Sequence, residues 1–158
     1  MSDARFEDAD EGPLWLGAAD GEDLKVLASL VQDAVFPITD MTFARSRREF
    51  AILLNRFRWE DRAAAEAAGR PYERVRAMLL VRDVQAVRSQ GIDRSDRDTI
   101  LSLLDITFEP GVDGTGRLIL TLAGDGAIAL EVETLDVALR DVTRPYTAPS
   151  GKMPDHGA

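Results

Sequence analysis

The chain has 158 residues, of which 45% are hydrophobic and 30% charged, with no cysteine and a formal net charge of −9. That length suits one domain burying about two-thirds of its unfolded surface, and the composition is too apolar for a disordered chain. The missing cysteines exclude disulfides, thiolate metal sites and a cysteine nucleophile, and the single histidine, His156 in a polar stretch, removes most general-base, Ser/His/Asp and His-metal schemes.

Residues 1–13, with Asp3, Glu7, Asp8, Asp10 and Glu11, read as a disordered acidic tail. Leu14 to Ala19 is a short apolar strand. Asp20 caps a helix over 20–36, with Glu22 and Asp23 in its first turn, an apolar stripe at Leu24, Leu27, Ala28, Val31, Ala34 and Val35, and Pro37 as its stop. Met41 to Arg45 and Glu49 to Trp59 form a hairpin about Ser46-Arg47-Arg48. Residues 60–69 are alanine-rich and lack an apolar face, so they read as a long surface connection with a helical turn or two.

Arg74 to Val81 and Val84 to Ser89 are two β segments interrupted at Arg82-Asp83. Residues 92–98 form a charged loop, in which Asp93, Asp96 and Asp98 alternate with Arg94 and Arg97 and lack a calcium-loop pattern. Ile100 to Glu109 alternates as a strand. Gly111 to Gly116 is a turn without dinucleotide or phosphate-loop spacing. Leu118, Leu120 and Leu122, then Ile128, Leu130 and Val132, flank Gly124-Asp125-Gly126, the strongest hairpin signal in the chain. Leu135 to Val142 fits either a strand or a helix; strand is chosen, continued across a bulge near Thr134. Residues 14–145 are one globular domain, and 146–158 a flexible C-terminal tail.

The potentially functional side chains concentrate at the end of the second hairpin strand. Phe50, Ile52 and Leu54 share one face; past Asn55 the apolar phase moves to Phe57 and Trp59, with Arg56 and Arg58 opposite, as a bulge would produce. Phe57 is expected in the core, Trp59 half-buried at its rim, and both arginines exposed. Asn55, Arg56, Arg58 and Trp59 are the candidate interaction or anion-binding surface. They sit in an arginine-rich island: residues 41–97 hold thirteen basic against eight acidic residues, and the flanks are acidic. No catalytic residue, metal site or cofactor is assigned.

Leu30-Val31-Gln32-Asp33-Ala34-Val35, Leu53-Leu54-Asn55-Arg56-Phe57, Tyr72-Glu73-Arg74, the run from Val87 to Asp93 and the run from Gly126 to Glu133 resemble the alphaproteobacterial domain-of-unknown-function family 2948, over roughly residues 14–145. The resemblance implies a bacterial cytoplasmic protein and carries over no site residue.

The fold expected from these elements is α+β: one N-terminal amphipathic helix on a mainly antiparallel sheet of about seven or eight strands, a sandwich or partly closed barrel. Asp40-Met41-Thr42-Phe43 resembles Asp105-Ile106-Thr107-Phe108, which suggests two related β meanders. The function expected is a non-catalytic cytoplasmic interaction module that self-associates or binds a protein partner. The alternative is a receptor or enzyme for an anionic small molecule in an arginine-lined pocket. The acidic charge argues against nucleic acid, and no apolar run approaches the roughly 18 residues of a membrane span.

Overall fold

The structure, a computed structural model, describes residues 13–147 and 154. The acidic N-terminal tail and most of the expected C-terminal tail lie outside the described residues. The α+β expectation is overturned: the described residues form an antiparallel sheet of eleven strands with two short α-helices.

The strands are β1 (Trp15–Ala18), β2 (Ala34–Pro37), β3 (Met41–Ala44), β4 (Glu49–Phe57), β5 (Glu73–Val81), β6 (Val84–Gln90), β7 (Ile100–Pro110), β8 (Gly116–Leu122), β9 (Ala127–Val132), β10 (Val137–Asp141) and β11 (Tyr146–Thr147). The helices are α1 (Gly21–Leu30) and α2 (Arg62–Ala68). Asp20 caps α1 by accepting from the Asp23 N–H at 2.8 Å, as its sequence predicts. The helix stops at Leu30 rather than running to residue 36. Asp33 takes a left-handed φ of 63°, and the chain turns into β2, which pairs with β7 from Ala34↔Leu103 to Pro37↔Ile100. Leu24, Leu27 and Ala28 are buried on the α1 face that packs on β1 and β7. The ambiguous segment after Leu135 is a strand, β10.

Along the sheet the order is β1-β10-β5-β4-β2-β7-β8-β9-β6, with β3 on β4 and β11 on β5. Outside β1 this order is palindromic: β10 and β6, β5 and β9, β4 and β8, and β2 and β7 occupy mirror positions. Asp40 to Phe43 and Asp105 to Phe108 fall in corresponding places, each leading into a hairpin. One ribbon joins the two halves, because β5 runs through Arg82-Asp83 into β6 while its partner β10 continues from β9. The Arg82 N–H donates to the Asp136 carbonyl and the Glu133 N–H to the Asp83 carbonyl, both at 3.0 Å, which ties the two bends together.

Inward residues of both halves, among them Phe50, Ile52, Leu79, Val81, Leu118, Leu120, Ile128 and Leu130, make one continuous apolar core. At about 1.5–3 kcal/mol per fully buried large apolar side chain, this core is the main stabilising term. The halves differ in how their strands are joined. β8 meets β9 across residues 123–126, where Gly124 and Asp125 take the positive φ angles of a tight turn, whereas β4 meets β5 through residues 58–72, which carry α2.

Candidate functional site

No bulge re-aims the end of β4: its pairing with β5 is unbroken from Phe50↔Val81 to Phe57↔Arg74. Arg56 therefore keeps the inward phase of Phe50, Ile52 and Leu54, and it is 0% exposed. Arg58 is buried too, which overturns the exposure expected for both arginines. A guanidinium can occupy such a position only if its five N–H groups are matched. Here they are. Arg56 Nε and Nη2 donate to the two oxygens of Asp141 at 3.0 Å, and Nη1 and Nη2 donate to Glu60 at 2.8 and 2.7 Å. A longer contact of 3.4 Å runs from Nη1 to the Phe57 carbonyl.

The network extends into the β4–β5 connection. Arg58 Nη1 donates to Glu73 at 2.6 Å and lies 3.6 Å from Asp61, whose carboxylate accepts two 2.6 Å bonds from Arg70. Asp141 also accepts from the Leu14 N–H at 3.1 Å, so the network joins the start of β1, the end of β10, β4 and the turn leading to α2. Burial opposes the charge on Arg56, but its bonds to Glu60 and Asp141 outweigh burial and raise its pKa. Glu60 is the converse: burial would raise its pKa, and Arg56 holds it below the ordinary glutamate value. For Asp61, the bonds from Arg70 are the leading cause of a lowered pKa.

Phe57 is buried and Trp59 half-buried. The Trp59 ring stands edge-on to Phe57, with centroids 4.6 Å apart, and its Nε1 donates to the Gln32 carbonyl at 2.9 Å. Tyr72 meets Phe57 from a second direction, 5.4 Å away. These contacts fasten the β4–β5 connection to the α1–β2 turn.

Asn55 alone of the four candidates is on the outer face with a polar set around it. Its Oδ1 accepts from Arg74 Nε at 2.6 Å, its carbonyl accepts from Arg74 Nη2 at 3.1 Å, and its Nδ2 donates to the Tyr146 hydroxyl. The four predicted residues thus divide between a buried charge network, an aromatic cluster and this outer polar set. Arg74, Tyr146 and Asp141 were missed. Tyr146 and Thr147 pair with β5, so the chain stays on the sheet past the expected domain end.

The loop carboxylates Asp93 and Asp96 accept from nearby groups of their own loop: Ser95 N and Oγ for Asp93, and Asp98 N for Asp96. Among the described residues no helix is long and apolar enough to cross a membrane. The family model described as protein of unknown function DUF2948 matches residues 14–156. No curated protein and no solved structure matches.

Proposed function

The chain belongs to the DUF2948 family of proteins of unknown function, whose description assigns no activity, and we propose that its domain is a non-catalytic interaction module that pairs with a second copy of itself along β1. The observation that carries this reading is Trp15, 76% exposed on the outermost strand of the sheet. The Asp141 N–H donates to the Leu14 carbonyl at 2.9 Å. By antiparallel alternation Leu16 and Ala18 then also bond to β10, and the backbone groups of Trp15 and Gly17 point to the open side. β1 reads Trp-Leu-Gly-Ala, with no charge and no proline to discourage pairing, whereas the opposite edge, β6, carries Gln85, Arg88 and Gln90.

The outer face beside β1 is apolar as well. Register places Trp15, Arg140, Met78 and Leu53 in one row and Gly17, Ala138, Leu80 and Ala51 in the next; Ala138, Met78, Leu80, Leu53 and Ala51 are half-buried. A two-fold axis beside β1 would join two sheets edge to edge and make these rows continuous, the self-complementary arrangement of a cyclic dimer.

Size-exclusion chromatography with light scattering tests this at micromolar concentrations. The wild type is expected to be a dimer. Gly17→Pro, which removes an open-side donor and leaves the β10 ladder intact, is expected to be a folded monomer, as is Trp15→Ser. A monomeric wild type, or a Gly17→Pro variant that remains dimeric, overturns the reading.

A further inference from the structure

The sheet has a gap in its first half. β3 pairs with β4 only as far as Met41↔Ile52, and β2 touches β4 at the single position Val35↔Asn55. Between them the chain makes a 3-10 turn at Ile38–Asp40, which leaves Leu53 and Leu54 without a strand partner on that side. In the second half β7 runs through the corresponding place with one register shift between Leu103 and Asp105, and stays on β8. The gap opens into a groove of about 360 Å³, small but within the range of ligand sites.

Its lining has two characters. Leu53, Val35, Pro37 and Ile100 are apolar, and Ile100 is 61% exposed at the mouth. Asn55, Arg76, Tyr146 and Asp40 are polar; Asn55 is the partner of Arg76 and Tyr146 that of Arg74, and Asp40 lies against Arg76. Arg74, behind Asn55, is half-buried and donates only to the uncharged oxygens of Asn55; no carboxylate among the described residues forms an ion pair with it. Burial pushes its pKa down, although Tyr146 and Asp33 favour its charge. This differs from Arg56 and Arg58, whose charge is met by carboxylates. Arg76 does face one, Asp40 at 3.6 Å, but that pair is long and open to water at the arginine, which makes it weak.

We propose that this groove binds a small carboxylate with an apolar body, its oxyanion held by Arg76 and the Tyr146 hydroxyl and its body resting on Leu53, Pro37 and Ile100. A carboxylate entering there takes Arg76 from Asp40, while the apolar lining loses water. The Asn55 carboxamide holds Arg74 and Tyr146 in place, so the polar end is formed before the ligand arrives.

Isothermal titration of the full chain with hexanoate, inorganic phosphate and hexylammonium tests it. Hexanoate is expected to bind saturably, and hexylammonium to show no binding. Arg76→Gln, at a side chain 47% exposed and so structurally mild, is expected to weaken hexanoate roughly ten-fold or more, about 1.4 kcal/mol. Tyr146→Phe should weaken it less, and Gly17→Pro should leave it unchanged, which separates this site from pairing at β1. Absence of hexanoate binding overturns the proposal, as does binding that Arg76→Gln leaves intact. Phosphate binding as tightly as hexanoate would overturn the apolar half of the assignment.

Discussion

Arg56 shows what one residue can do to the physics of a core. A guanidinium at 0% exposure forfeits its hydration, and only the geometry of Asp141 and Glu60 offsets that cost. Removing one member of such a network strands the others. Arg56→Ala is expected to lower stability by about 3–5 kcal/mol, read as a shift in urea midpoint with unchanged slope. Reversing Arg56 and Arg58 together to Glu sets like charges against Glu60, Asp61, Glu73 and Asp141, and is expected to prevent folding, where two solvated arginines would have tolerated it. The same network predicts an acid dependence. Glu60 and Asp61 have lowered pKa values in the folded protein, so their contribution is fully present above the ordinary carboxylate range of about 4 and is lost as pH falls through the lowered values. Thermal melts from neutral pH downward should show this loss. Glu60→Gln should be less stable at neutral pH and flatter in acid, and a wild-type melting temperature independent of pH in acid would contradict the assignment.

Elements are legible in the sequence where one period dominates. β8 and β9 follow the alternation of Leu118, Leu120 and Leu122 with Ile128, Leu130 and Val132. The first helix starts where Asp20 predicts but ends at Leu30, short of the expected stop, because Ala34 and Val35 continue a helical spacing while Ala34, Phe36 and Ile38 equally satisfy a strand. The β-branched and aromatic run Val35-Phe36 before Pro37 was the signal for the strand, and its pairing with β7 decided the matter. Residues 62–68 show the reverse balance: they form α2 although only Ala65 is buried, with Gly69 at φ 64° closing the last turn. That helix is held by ion pairs and aromatic contacts at its flanks rather than by an apolar stripe of its own.

At the scale of the molecule, the bent ribbon means that neither half is complete. β5 needs β10 and β6 needs β9, and each of those pairs crosses from one half of the chain to the other. Fragments 13–97 and 98–158 produced separately are therefore expected to lack fixed tertiary structure by near-ultraviolet circular dichroism, and the intact chain to unfold in one transition. A second fragment that folds alone would show that β7 to β11 suffice without β5 and β6.

The local order of residues determined most strands, the first hairpins, the helix start, the burial of Phe57 and the half-burial of Trp59. It also determined that Arg56 and Phe57 point to opposite faces, since alternation along a strand is a property of the backbone. Whether those faces meet water or protein was decided elsewhere. Asp141, which makes the buried place of Arg56 tenable, lies 85 residues away, and Tyr146 is 91 residues from Asn55. Alternation says which way a side chain points, and only the assembled sheet says what stands opposite it. The gap beside Asn55 is likewise a matter of pairing: β3 reaches only Ile52 of β4, and β2 meets β4 at Asn55 alone because it pairs with β7.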